Sequence, residues 1–372
     1  MRIVPALKRR LGGLARLASR EGLRVYAVGG CVRDAMLGRP TRDLDMAVEG
    51  DPRVLAQAAV LSWGGASEVF DRFGTVRLNL PGGFRMDFAR ARAESYPKPA
   101  ALPVVRPATL AEDLVRRDFT VNAMARPLRA RGFGALIDPH GGADDLKARR
   151  LKVLHPNSFR DDPTRLFRAA RYAGRFALRL EPKTAALLRE AVREGLPGLL
   201  SRERVRQELI RDLEEDDPDA GMRLLKSWGL WPAFHPRFRW PFRARGLGDA
   251  LTRLGLCALA MRGGDGAEMI RSLPLERAGA QSLLTALKIA KLRASPRGEL
   301  DALASRVLRL HFGRLPRAAL RPVLLGGDDL DRLGLEPGPA YSRWLERVAR
   351  AQWRGKFTTH AGALRWLRGV RC

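Results

Sequence analysis

The stretch from Tyr26 to Asp51, YAVGGCVRDAMLGRPTRDLDMAVEGD, constrains this chain more than any other. An apolar strand, Val25 to Val28, ends on Gly29-Gly30. A short helix then carries Arg33 and Asp34, and Asp43-Leu44-Asp45 opens a second apolar run. Side chains two apart on a strand share a face, so Asp43 and Asp45 present two carboxylates side by side. Like charges that close repel unless a cation lies between them. Mg²⁺ takes carboxylate and water oxygens together with substrate phosphates. Paired glycines let a backbone approach a phosphate, and a helix start offers N–H donors and a positive dipole end. A lone D-x-D is also an ordinary salt-bridged strand edge, and a lone G-G an ordinary turn. Together on one strand–helix–strand unit, they point to a nucleoside triphosphate held at a metal-dependent phosphoryl-transfer site.

The chain has 372 residues, more than one typical domain. Hydrophobic content of 45% is ordinary for a globular protein. No apolar run reaches the roughly 18 residues a bilayer requires, so no membrane span is expected. The N-terminal Leu/Arg pattern reads as a first helix rather than a transit peptide, and it lacks the apolar block of a secretory signal. Cys31, Cys257 and Cys372 show neither zinc nor disulfide spacing, which fits a reducing cytoplasm. The net charge is +28, spread as +10 over residues 1–150, +10 over 151–300 and +8 over 301–372. A field of that size attracts polyanions along the whole body, and nucleic acid is the expected partner.

The predicted fold class is α+β: a head with a small sheet, followed by all-α segments. Strands are expected at Arg24–Gly30, Asp43–Glu49, Glu68–Phe70, Thr75–Leu80 and Phe84–Ala91, with Pro81-Gly82-Gly83 as a hairpin turn. From about Lys147 the pattern turns helical. The expected divisions are 1–140, 141–235 and 236–372.

Four further clusters carry chemistry. Asp87, on an alternating strand, is either a third carboxylate beside Asp43 and Asp45 or a half-exposed strand residue. Asp118 and Asn122, four apart, read as one helical face able to bind a ribose; the other reading makes Asp118 an N-cap. Gly141 and Gly142 suggest a hinge. Asp162 and Arg165, three apart, offer an acceptor and a donor fork that imitate a base partner's edge. Asp162 followed by Pro163 also reads as an N-cap with Pro at N1. Arg168 and Arg171 continue that basic helix. His140 and His155 lack ligand spacing. Aromatic residues between Trp228 and Phe242 are either a base-stacking surface or interdomain core.

These blocks, in this order, resemble the class II tRNA nucleotidyltransferase and bacterial poly(A) polymerase family. The matching runs are GGCVRD at 29–34, DLD at 43–45, RRDFTVNAMA at 116–125, DPHGGADDL at 138–146, DDPTRLFRAARY at 161–172 and SRERVRQEL at 201–209. The resemblance covers roughly residues 22–235. It implies a nucleotidyltransferase-type head and helical neck, body and tail. It implies that CCA, or its terminal A, is added to tRNA from CTP and ATP without a nucleic-acid template. Asp43 and Asp45 would then bind two Mg²⁺ ions, with Asp87 as the third carboxylate. Gly29, Gly30 and Arg33 would hold the triphosphate, Asp118 and Asn122 the ribose, and Asp162 and Arg165 the incoming base. The family commonly has Glu where this chain has Asp161. A poly(A) polymerase acting on RNA generally, and a non-catalytic RNA-binding protein, are the alternatives.

Overall fold

The computed structural model describes residues 5–39, 43–70, 74–81, 84–241 and 243–371. Gly82 and Gly83 of the expected hairpin turn, Phe242 and Cys372 lie outside them. The chain divides into two compact units, Met1–Leu200 and Ser201–Cys372.

The first unit opens with α1 (Pro5–Arg20), β1 (Arg24–Val28), α2 (Gly30–Met36), β2 (Asp43–Glu49) and α3 (Pro52–Trp63). Next come β3 (Ala66–Phe70), β4 (Thr75–Leu80) and β5 (Phe84–Arg90). Asp51 caps α3 by accepting from the Arg53 N–H, and Pro52 fills its first turn, where a missing N–H costs nothing. Then follow β6 (Arg92–Ser95), β7 (Val104–Pro107), α4 (Leu110–Val115), β8 (Ala125–Arg129) and β9 (Gly132–Phe133). A Thr109/Glu112 capping box starts α4.

The expected small sheet has seven strands, ordered β3-β4-β5-β2-β1-β8-β9. Within it β2 and β5 run parallel, while β1–β2, β4–β5 and β1–β8 are antiparallel. Alternation on β2 sorts the side chains. Leu44, Met46 and Val48 pack with Leu78, Met86 and Phe88 against Leu11, Leu14 and Leu55 from the helices. On the opposite face Ala47 joins Val28, Leu110 and Leu114 in a smaller cluster. The sheet is therefore covered on both faces at that end, and Asp43 and Asp45 emerge where the second cover stops.

The unit continues with α5 (Gly142–Lys147), α6 (Ser158–Asp161), α7 (Thr164–Phe176) and α8 (Pro182–Arg193). A two-residue parallel pairing of Arg150-Leu151 with Arg179-Leu180 interrupts what was expected to be all helix. At the expected Gly141-Gly142 hinge, Gly141 has a φ of 70° and the following N–H groups are bonded. Asp138 accepts from the Gly142 and Ala143 N–H groups, each at 2.8 Å. A Cβ on Gly142 would lie 2.1 Å from the Thr120 carbonyl oxygen, so Gly142→Ala should lower stability by about 1–3 kcal/mol through forced backbone displacement. Chemical denaturation checks this.

The second unit holds α9 (Arg202–Leu213), α10 (Asp219–Ser227), α11 (Ala250–Ala260), α12 (Asp265–Ser272), α13 (Arg277–Leu292), α14 (Ala302–Phe312), α15 (Gly327–Arg332), α16 (Pro339–Trp353) and α17 (His360–Arg371). Its aromatic run packs inward in part. Phe234 and Phe238 are buried, and Phe238 stacks edge-on with Trp231 and with Phe234. No helix among the described residues is long and apolar enough to cross a membrane.

Candidate active site

The carboxylates meet through strand register. Asp43 lies opposite Arg85, and Asp45 opposite Asp87, across the parallel β2–β5 pair. On the other side of β5, Arg77 lies opposite Asp87. Leu44 and Met86 point into the core, so Asp43, Asp45 and Asp87 share the other face. Asp45 is exposed to solvent yet is crowded by neighbouring protein groups. That crowding, then the charges of Asp87 and Asp43, push its carboxyl above the usual range, while Arg117 and Arg85 oppose the shift. The cluster is partly neutralised from within. Arg77 donates from Nε (3.0 Å) and Nη2 (3.4 Å) to the two oxygens of Asp87. Arg85 Nη2 lies 3.1 Å from Asp43 and its Nε 3.9 Å from Asp87.

The glycine pair lies beside this cluster. Gly29 has a φ of 69°, a region that favours glycine. A Cβ there would fall 2.6 Å from Arg117 Nη1, and Arg117 is fixed by Asp113 at 2.8 Å. The space beside Gly30 leads to both Arg33 Nη2 and Asp45 Oδ2, 3.6 and 4.0 Å from where its Cβ would stand. Bare backbone, a guanidinium and the carboxylates thus adjoin.

Arg33 leads into a buried polar chain. Its Nη1 donates to Asn122 Oδ1 at 2.6 Å; Asn122 Nδ2 donates to Asp118 Oδ1 at 2.9 Å. Arg168 donates from Nε and Nη2 to Asp118 Oδ2 at 2.8 and 2.6 Å, and from Nη2 to the Tyr172 hydroxyl at 3.1 Å. The Arg33 guanidinium also lies over the Tyr172 and Phe176 rings, at 5.2 and 4.3 Å. Asp118 and Asn122 are thus neighbours, but not on the helical face expected. Helix α4 ends at Val115, and a single 3₁₀ turn, Thr120–Asn122, brings the pair together. Asp118 also accepts from the Phe119 N–H at 2.9 Å, but it is not the N-cap expected: Phe119 holds that position on the 3₁₀ turn, with no side-chain capping bond. Burial alone would raise the Asp118 carboxyl; the Arg168 charge and the bonds from Asn122 and Arg168 outweigh it and hold it at about 2.

Asp162 and Arg165 are placed differently from each other. Asp162 Oδ1 accepts from the Thr164 N–H (3.0 Å) and hydroxyl (2.6 Å), so the N-cap contact is present. Arg165 is buried, with Nη1 donating to Ser158 Oγ at 2.7 Å and Nη2 to the Arg116 carbonyl at 2.7 Å. These contacts do not use all five guanidinium N–H groups. Arg165 borders a cavity of ≈ 460 Å³ with Glu94, Tyr96, Arg116, His155 and Asp161. Burial, then Glu94, raises the Tyr96 hydroxyl, and burial, then Arg165, lowers His155. Arg171 is buried beside Tyr172.

Asp162→Ala should cost about 0.5–2 kcal/mol of stability through the lost cap. If Asp162 also reads the base, misincorporation of UTP and GTP should rise in the same preparation. Lowered melting with unchanged fidelity would leave it a cap alone.

Sequence reading missed Arg77, Arg85, Arg117 and Tyr172. For Arg85 the signal was present, because it alternates with Met86 and shares a face with Asp87.

His235, Asp265 and Glu268 of the second unit bring three ligand-type atoms within 4.8 Å. His235 Nδ1 accepts from the Arg237 N–H at 3.2 Å. In neutral imidazole the proton then sits on Nε2, which lies 3.8 Å from Glu268 Oε1 without a hydrogen bond and in that tautomer offers a metal no lone pair.

Residues 25–152 match the Poly A polymerase head domain family. An A-adding tRNA nucleotidyltransferase of Aquifex aeolicus is 42% identical over 218 residues, covering 59% of this chain and 26% of that protein. A CC-adding tRNA nucleotidyltransferase of Deinococcus radiodurans is 40% identical over 204 residues, covering 54% and 53%. The chain spans about a quarter to a half of the length of the curated relatives it matches. Among solved structures, a CCA-adding enzyme in apo form II superposes with a TM-score of 0.70 at 27% identity, over 99% of this chain and 97% of that one. A Thermotoga maritima CCA-adding enzyme complexed with tRNA gives 0.63 at 27%, over 100% and 97%.

Proposed function

We propose that this chain, whose residues 25–152 belong to the Poly A polymerase head domain family, is a nucleotidyltransferase that adds CCA or its terminal A to tRNA 3′ ends from CTP and ATP. The observation carrying this reading is the adjacency of the Asp43/Asp45/Asp87 face, the bare Gly29-Gly30 backbone and the Arg33–Asn122–Asp118–Arg168 chain. Relatives solved with ATP, CTP and tRNA support the choice of substrates.

The donor set fits Mg²⁺. All three groups are hard carboxylate oxygens, and the strand register sets Asp45 beside Asp87, a like-charge pair that a dication would relieve. Asp43 and Asp45 would hold the metal, with Asp87 as the third carboxylate. Of two ions bound there, one would activate the RNA 3′-hydroxyl and the other would neutralise the departing pyrophosphate. The chain's own groups do the rest. Gly29, Gly30 and Arg33 take the triphosphate. Asp118 and Asn122 hold the ribose end, braced by Arg168. Asp162 and Arg165 read the incoming base, Arg165 from the wall of the ≈ 460 Å³ cavity, and Arg168 and Arg171 continue the same helix. Residues 1–140 act as head, 141–235 as neck with base recognition, and 236–372 as RNA-binding body and tail, in a cytoplasmic protein.

The second unit supports an RNA surface. Lys291, Arg293, Arg350 and Arg354 line a cavity of ≈ 310 Å³ together with Leu292 and Trp353, with no acidic residue among its walls. If phosphate contacts supply the affinity, log K for tRNA should fall linearly with log salt, by roughly 0.7–0.9 per contact. Replacing all four cations with Gln should flatten that slope. An affinity insensitive to salt would contradict the reading. The activity itself is tested by labelled ATP and CTP incorporation into 3′-truncated tRNA, lost on chelation and restored by Mg²⁺.

A further inference from the structure

We propose that Arg77 and Arg85 are built-in counter-cations of the carboxylate face, which a divalent ion must displace and against which its affinity is set. The inference rests on the metal-site reading above but concerns residues that reading does not use. Arg77 and Asp87 are directly cross-strand on β4 and β5, and Arg85 and Asp43 are directly cross-strand on β5 and β2. Each arginine therefore meets its carboxylate as a consequence of backbone register, not of a chance surface rotamer. The Arg77 contact uses Nε and Nη2 against both Asp87 oxygens, which leaves neither oxygen without a guanidinium hydrogen. Arg85 spans Asp43 and Asp87.

Two consequences follow from the charges. Without metal, the arginines hold Asp43 and Asp87 in place, so the site does not scatter its like-charged side chains. With metal, the same positive charges repel the incoming ion and their hydrogen bonds compete with it for the carboxylate oxygens. Free cation therefore binds weakly. A cation arriving with its anionic nucleotide is favoured, since the polyphosphate offers the displaced guanidinium groups new acceptors. Both arginine side chains are 38–44% exposed, so solvent screens part of the effect.

The test uses the full chain and Mn²⁺ alone, with bound metal counted by the loss of the free-ion electron paramagnetic resonance signal. Asp45→Asn identifies which binding belongs to this site. Arg77→Gln is expected to lower the half-saturating Mn²⁺ concentration by about two- to fivefold, and Arg85→Gln by a smaller factor of the same sign, since a screened pair contributes up to about a factor of five. Arg77→Lys, which keeps the charge, should stay near the parent value. Circular dichroism of each variant confirms that it is folded. Unchanged or weaker Asp45-dependent Mn²⁺ binding in Arg77→Gln would overturn the proposal while leaving the metal site standing. Absence of any Asp45-dependent binding in every form would overturn the proposal together with the metal assignment.

Discussion

Replacing Asp43 or Asp45 with Ala will abolish nucleotide incorporation while leaving tRNA affinity nearly intact. On the proposed function the two properties rest on different groups. Carboxylate contacts to a metal contribute several kcal/mol of transition-state stabilisation, so a loss of about a thousandfold or more is expected. Affinity for RNA draws instead on a net charge of +28, which one substitution changes little. Rates are measured at saturating tRNA and nucleotide, and affinity by filter binding at fixed salt. Full activity in either variant would remove the carboxylate face from the mechanism.

The second large effect lies at Asp118. Its carboxylate is buried and receives Arg168, Asn122 and the Phe119 N–H at once. Asp118→Ala leaves Arg168 and Asn122 without that acceptor, and truncating one partner of a buried ion pair costs about 3–5 kcal/mol. The pH dependence follows from its depressed carboxyl, at about 2 in the folded chain against about 3.9 unfolded. A depressed carboxyl stabilises the fold above the unfolded value, and that contribution disappears as pH falls from about 4 through about 2. The amount at neutral pH is about 2 kcal/mol. Denaturant unfolding of parent and Asp118→Asn across pH 2–6 measures it, since Asn keeps the shape and cannot titrate. The gap between the two should close toward pH 2; a pH-independent gap would mean that the Arg168 pair contributes through packing alone.

Strand parity made the first half of the site legible. Asp43 and Asp45 alternate with core residues Leu44 and Met46, and Asp87 alternates with Met86 and Phe88, so period-two reasoning put each on the polar face of its strand; the β2–β5 register then sets Asp87 beside Asp45, which parity alone left open. Local chemistry likewise revealed helix starts such as Asp51-Pro52. What escaped depends on partners far away in sequence. Arg77 matters because the β4–β5 register sets it against Asp87, and nothing in TVRLNL announces a register. Strands β6 and β7 lack a strong apolar alternation and exist by pairing with each other. Spacing alone made Asp118 and Asn122 a helical pair, since four residues match one α turn. The chain instead closes a 3₁₀ turn there, because Phe119 and Val121 are fully buried and the Asp118 side chain takes a backbone N–H that a helix would have used. For Asp162, both sequence readings survive as distinct tests: the cap is visible, and base reading is a matter for fidelity measurements.

The central claim is that protein side chains, without a nucleic-acid template, direct a short and defined addition to tRNA. Sequencing the products made from ATP and CTP on tRNA lacking CCA, on tRNA lacking only the final A, and on an unrelated RNA tests it most directly. The account predicts Mg²⁺-dependent products that end at CCA on one or both tRNAs and nothing on the unrelated RNA. Long A tails on all three would make the chain a general poly(A) polymerase, and no incorporation on any of them, by folded protein with Mg²⁺ present, would contradict the account.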